Sequence, residues 1–379
     1  MIQSLKQFLE IGRSKLDTPL IYTILILSVV GLGILFSASS VISIREYGEP
    51  TFYLKKQLYW YLISYFFFIV FLLIPYRLYQ RFSLPILIIS IILLILVFIP
   101  GIGKSVVTHY GRNFHRWINL GFMQFQPSEF AKVAIVIYIS SYLTRWNHEG
   151  TEDYKTLLVP GALILFIIVL VVVEPAFGTS IELALIVLGL IFLNGFPLKN
   201  LLIGTASLSP LIILLILKVG YRKDRIDIWL NPYKYRFEAG HQLVSSFRSF
   251  LEGHWFGKPL SSGYAHRYLA YSHTDFVLPT FVEDFGFIGF VFIFALFLFL
   301  IYRGFQLISH VKDFFGFLLG NGIIIMITLQ ILMNTFVVTG IVPITGISLP
   351  FISYGGSSLL IVMVSLGIFL NITSKENLI

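Results

Sequence analysis

The chain has no cysteine, so disulfides, thiol nucleophiles and cysteine-held metals are excluded. Charge is scarce as well. Asp, Glu, Lys and Arg make up 12% of the 379 residues, about half the usual share of a soluble domain. The 19 acids are outnumbered by 27 basic residues, which gives a net charge of +8. The basic residues are scattered, with no Lys/Arg run of the kind that tracks a nucleic-acid backbone. Their distribution fits membrane topology and anionic headgroups instead. There is no glycine-rich phosphate loop, no zinc-binding histidine pair and no Ser-His-Asp signature, which argues against an ATP-driven pump or a zinc protease. Also missing are internal repeats, low-complexity tracts and the matched, broken helices of a two-fold transporter. The first apolar run is too long for a cleavable signal peptide and leads into further spans.

What the chain has is apolar surface: 57% of its residues are hydrophobic. One soluble core cannot hide that much, whereas a bilayer can. Runs of roughly 20 apolar residues mark membrane spans. About ten are legible, near 19–41, 57–75, 83–100, 127–145, 157–173, 178–194, 200–218, 284–302, 316–340 and 350–372. The expected fold is an all-α polytopic membrane protein, residues 1–379 forming a single integral membrane domain. A large extracytoplasmic loop, 219–283, separates helices seven and eight. The positive-inside rule favours an N-terminus (1–18) and a C-terminus (373–379) that are both cytoplasmic. On that side lie Lys6, Arg13, Lys15, Arg77, Arg81, Arg145, Lys155, Lys199, Arg303, Lys312 and Lys375; the short external loops hold only Arg45, Lys55, Lys56, Lys104, Arg112 and Arg116. The long loop is rich in Trp and Tyr, which predicts short amphipathic helices at headgroup depth.

Four polar constellations carry candidate chemistry. In the first, 111–132, Pro127, Ser128 and Glu129 suit a helix start. Glu129 and Lys132 share a helix face and read either as a self-neutralising pair or as part of a polar site. Arg116 beside Trp117 suits a phosphate at the headgroup zone. In the second, Glu174 lies in a short external turn and Glu182 inside a span, where an acid marks a pathway or a buried pair. In the third, Asp275 stands where water gives way to lipid, so its pKa is expected to rise toward that of a general base. Glu283 and Asp284 follow it and also suit a helix start. In the fourth, 330–358, Gln330 and Asn334 precede a segment broken by Gly340, Pro343, Gly346 and Pro350. The small polar run Ser353–Ser358 closes it. Such backbone packs in protein or lines a cavity.

In order and wording these constellations resemble the SEDS family (shape, elongation, division and sporulation). RWINLG at 116–121 with QPSEFAK at 126–132, HTDF at 273–276 and TGIVPITGISLPFISYGGSS at 339–358 carry the likeness, which spans roughly residues 20–370. PGIG at 100–103 leans toward the division (FtsW) branch over the elongation (RodA) branch. The chain departs from the family's EPD-x-G[TS] at Ala176, from PEAHTDF at Ala270-Tyr271-Ser272, from GYQ at His241 and from EELG at Asp284-Phe285.

The resemblance implies a SEDS-type fold in the bacterial inner (cytoplasmic) membrane. It implies a peptidoglycan glycosyltransferase that polymerises lipid II, an undecaprenyl-diphosphate-linked disaccharide-pentapeptide, for division or elongation. Its partners would be a class B penicillin-binding protein and other division or elongation proteins, with no nucleic acid. Asp275 would be catalytic. Arg116, Trp117, Gln126, Glu129, Lys132, Glu174, Arg225, His273, Glu283 and Ser353 would bind substrate, with Glu283 a candidate second acid. No residue is assigned to a metal; a divalent cation, Mg or Mn, on the diphosphate is chemically reasonable, but no carboxylate cluster demands it. Two other readings are a lipid II flippase and a scaffold for the transpeptidase.

Overall fold

The computed structural model describes residues 16–107, 113–119, 121, 124–149, 158–174, 176–204, 206 and 220–376. Most of them are helical. In chain order the named helices are α1 (Thr18–Tyr47), α2 (Phe52–Leu73), α3 (Arg77–Arg81), α4 (Ser83–Leu96), α5 (Pro127–Glu149), α6 (Leu158–Val173), α7 (Phe177–Leu193), α8 (Gly220–Leu230), α9 (His241–Gly253), α10 (Tyr264–Tyr268), α11 (Val277–Ile308), α12 (Phe314–Val338) and α13 (Gly356–Glu376). Five of them (α1, α2, α11, α12 and α13) are long and apolar enough to cross a membrane, and α4, α6 and α7 are shorter apolar helices. The protein is a multi-pass membrane protein. The expected span at 200–218 lies mostly outside the described residues.

Local chemistry sets the helix ends. Asp17 caps α1 by accepting from the Leu20 N–H at 2.9 Å, and Asp313 does the same for α12 through Gly316 at 2.8 Å. Gly48, at φ 73°, ends α1 in the left-handed region that glycine enters freely. Two expected starts are corrected. The helix placed at 284–302 begins at Val277, so Glu283 and Asp284 lie inside it. The helix placed at 350–372 begins at Gly356, because Pro350 and its neighbours stay irregular.

The centre of the bundle is α13. In its most apolar 18-residue window 94% is buried, against 22% in α11. Lipid therefore faces α11, while α13 is wrapped by protein. On one side α13 packs against α2. Asn371 Nδ2 donates to the Leu72 carbonyl at 2.6 Å. Nearer the other end, Tyr61 donates to the Phe351 carbonyl at 2.6 Å. α11 runs against α1: Arg303 grips Asp17 at one end (2.6 Å) and Asp284 accepts from Ser37 toward the other (2.6 Å).

The all-α expectation needs one correction. A small antiparallel sheet, ordered β1-β2-β3, joins β1 (Gly103–Val107), β2 (Asn113–Asn119) and β3 (Gln124–Phe125). Gly103 pairs with Ile118 and Lys104 with Trp117, with a register shift after Lys104. Gly103 is required there, since a Cβ would stand 1.8 Å from the Val97 carbonyl oxygen. The strands are short and lie between spans, where polar residues interrupt the hydropathy pattern. The sheet fixes Arg116 and hands the chain to α5.

The stretch expected as a long loop contains the short helices α8, α9 and α10. It is anchored at a break in α11. Gly286, at φ 66° and ψ −167°, interrupts the helix, and the freed Phe287 and Ile288 N–H groups donate to the His254 and Trp255 carbonyls at 2.9 and 3.2 Å.

Candidate active site

Asp275 lies in the turn between α10 and α11. Its backbone is clamped from two sides. Asn334 of α12 donates to the Asp275 carbonyl at 2.8 Å and to the Ile347 carbonyl at 2.7 Å. Ser353 donates to the Thr274 carbonyl at 2.6 Å and accepts from the Leu349 N–H at 2.8 Å. The Tyr354 N–H reaches the His273 carbonyl at 2.8 Å. The irregular segment 339–355 is therefore a mould for the 273–276 turn. Asn334, left out of the expected binding set, is as central to that mould as Ser353.

The carboxylate itself remains approachable. Asp275 is half-buried, and Gly346, which faces its Oδ2, is exposed. A Cβ at Gly346 would come within 3.7 Å of that oxygen, and φ there is 75°. Oδ1 accepts from the Thr274 hydroxyl at 2.9 Å. Burial raises the carboxyl above its ordinary range, while Thr274, the backbone, Arg225 and Arg116 pull it down. The outcome is a base stronger than a surface aspartate.

Both arginines reach this place from outside the bundle. Arg225, on α8, donates to the Ile344 carbonyl at 2.9 Å. Arg116, on β2, donates from Nε to the Glu174 carbonyl at 3.3 Å. Burial pushes the Glu174 carboxyl up to about 8 against the pull of Arg116. Arg225 and Asp275 thus meet residues 344–346, and Arg116 lies within electrostatic reach of both Asp275 and Glu174. His273 is next to them, buried, 4.5 Å from the Tyr53 ring and 6.0 Å from Tyr354. Desolvation holds it down to about 4, so it is neutral at physiological pH.

Other expected residues have structural partners of their own. Lys132 is 1% exposed and sits between two acids, 3.0 Å from Glu129 and 3.3 Å from Glu182, with Gln330 Oε1 at 3.5 Å. Gln330 donates in turn to Ser358 at 2.7 Å. This buried ion cluster binds α5, α7 and α12 together, joining the Glu129–Lys132 pair to Glu182, which finds the buried basic partner expected of an acid inside a span. Gln126 is a local brace: its N–H donates to Ser357 at 3.0 Å and its amide to Ser128 at 3.0 Å. Trp117 is half-buried on β2 opposite Lys104.

Glu283 is a correction. Its two oxygens are taken by the N–H groups of Tyr264 (2.6 Å) and Ala265 (2.7 Å), which start α10. Asp284 is held by His266 at 2.7 Å and by Ser37. Both acids staple α10 to α11, and each Glu283 oxygen already accepts one backbone N–H, a structural task its motif does not announce. Among the described residues no three His, Asp or Glu side chains converge as a metal site needs.

The family model for cell cycle proteins of the FtsW/RodA/SpoVE type matches residues 17–378. This chain belongs to that family. A probable peptidoglycan glycosyltransferase FtsW of Trichlorobacter lovleyi is 34% identical over 364 residues, covering 94% of this chain and 93% of the relative. One of the same description from Nitrosomonas europaea is 35% identical over 371 residues, covering 96% and 94%. Among solved structures, a chain from "Structural coordination of polymerization and crosslinking by a peptidoglycan synthase complex" superposes with a TM-score of 0.79 at 24% identity, covering 95% of this chain and 98% of that one. Thermus thermophilus Rod shape determining protein RodA gives 0.69 at 23% identity, covering 94% and 96%. The SEDS-type fold expected from the four motifs is the fold found.

Proposed function

We propose that this protein is a peptidoglycan glycosyltransferase that polymerises lipid II, with Asp275 as the general base. The observation that carries this is the clamped, half-buried Asp275 carboxylate with two arginines bearing on it. Asp275 takes the proton from a sugar hydroxyl of the acceptor. That oxygen attacks the donor's anomeric carbon, the bond to the diphosphate breaks with inversion, and the diphosphate departs with its electron pair. Arg116 and Arg225 stabilise the charge developing on the leaving group, which needs positioned cations rather than a proton donor. His273, neutral and ring-packed, supports the turn.

Lys132 and Glu129 have a smaller part here than their motif implies. They serve the site by holding α5, α7 and α12 in place. Residues 1–379 act as one integral membrane domain of about ten spans in the bacterial inner membrane, with both termini cytoplasmic. The loop through 219–283 faces the other side, where the lipid-linked sugar is consumed. A class B penicillin-binding protein is the expected partner, in line with the synthase complex whose chain shares this fold. The test is purification with that partner and supply of labelled lipid II. Wild type should yield polymer and Asp275→Asn none, with the variant still folded. Full polymer from Asp275→Asn would remove the base. Lipid translocation without any glycan product would favour a flippase instead.

A further inference from the structure

Among the described residues, Glu174 is the buried acid with both carboxylate oxygens unpartnered. It is 0% exposed, and neither carboxylate oxygen has a hydrogen-bond partner. Burying such a group without partners is strongly unfavourable. A second oxygen nearby shares the condition. Thr345 Oγ1 is buried and unpartnered, and its side chain lies against the first turn of α7, where a Cβ on Gly178 would stand 2.4 Å from Thr345 Cβ. Gly178 is therefore needed to admit Thr345. The residue after Thr345 is Gly346, which faces Asp275, and the residue before it supplies the carbonyl that holds Arg225. The Glu174 carbonyl holds Arg116, whose charge bears on both Glu174 and Asp275.

Two carboxylates thus flank one guanidinium, and only one has been assigned work. The unassigned one, its pKa raised to about 8, is chiefly a neutral carboxyl near pH 7, with free acceptor lone pairs and one O–H to place. An anion such as a phosphate would not be drawn to it. A neutral ligand carrying hydroxyl and amide N–H groups would be, and an N-acetylated sugar carries both.

We propose that Glu174 and Thr345 form a sugar-binding subsite, their free oxygens accepting hydrogen bonds from the hydroxyl or acetamido N–H groups of the lipid-linked saccharide. Arg116 is bonded to the Glu174 carbonyl and its charge reaches Asp275, so a sugar held at the subsite would have its diphosphate within reach of the guanidinium. Glu174 acts here as a positioning residue, and the assignment rests on the glycosyltransferase reading above. It also accounts for the unsatisfied state: the donors arrive with the substrate, and stability is given up for binding.

The test measures binding and stability separately from turnover. The full-length protein in nanodiscs is titrated with a lipid II analogue whose acceptor hydroxyl is blocked, and in parallel with undecaprenyl diphosphate, which has no sugar. Glu174→Gln should weaken the analogue about tenfold, the scale of one lost hydrogen bond to a charged or polar acceptor, and leave undecaprenyl diphosphate within twofold. Above pH 8 the ligand-free variant should melt at or above the wild-type temperature, since an ionised, unpartnered acid has been removed there. Unchanged affinity for the analogue, an equal loss for both lipids, or a lower melting temperature would each overturn the subsite. A wild type that binds the analogue yet makes no polymer from lipid II would sink the reaction while leaving the subsite to be judged on these ratios.

Discussion

At the scale of single residues, function turns on where water is removed. As the proposed base, Asp275 must be ionised to accept a proton, so activity is expected to fall as pH drops through its folded pKa. Burial raises that value, which places the acid limb of kcat/KM above the ordinary carboxylate range near 4. The Arg225 charge lowers it. Arg225→Gln should therefore move the limb to higher pH, and an unmoved limb would mean the arginine does not act on the base. His273 titrates near 4 and is neutral where the enzyme works, so His273→Gln should leave the limb where it is. Glu174 supplies the opposite linkage. Its folded pKa of about 8 lies above the value near 4.3 of an unfolded glutamate. The folded state therefore holds the proton more tightly, and stability is lost as pH rises between those values. Melting temperatures across that window should decline for wild type and flatten for Glu174→Gln.

At the scale of elements, the sequence reveals periodicity and local caps but not partners distant in the chain. The Glu129–Lys132 pair was legible because three residues of helix bring two side chains to one face. That Glu182 completes a three-member ion cluster depends on how α7 meets α5, and nothing local states it. Glu283 differs from its expected place at a helix start for the same reason. An acid beside a helix start suggests a cap of its own helix, whereas this one caps α10, 19 residues earlier. The β1-β2-β3 sheet is too short to give a hydropathy pattern, and the break in α11 was hidden in a run that reads as continuous span. Gly286 does carry a signal, since only glycine sits at φ 66° without strain. Gly286→Ala should lower the melting temperature, because the methyl group would also stand 2.5 Å from Gly257 N and Trp255 C. Gly33→Ala in α1 meets nothing within 4 Å and should be neutral or mildly stabilising. Lys132→Met, which leaves Glu129 and Glu182 buried without their cation, should cost about 3–5 kcal/mol and reduce the folded yield.

At the scale of the whole molecule, the protein is a helical bundle that uses its few polar residues twice. One set, Glu129, Lys132, Glu182, Asp17 and Arg303, fastens helices inside the bundle. The other, Asp275, Arg116, Arg225 and Glu174, meets around the irregular 339–355 segment, which Asn334 and Ser353 keep in shape. The absence of cysteine makes the membrane orientation directly testable. Tyr233→Cys on the long loop should react with a membrane-impermeant maleimide in intact cells, while Ser309→Cys beyond α11 should react only after permeabilisation; both side chains are exposed. The reverse pattern would invert the molecule and put Asp275 on the wrong face for the reaction. The most direct measurement of the central claim is glycan-strand synthesis from labelled lipid II by the purified complex, wild type beside a folded Asp275→Asn. The account predicts polymer from the first and none from the second; equal polymer from both would contradict it.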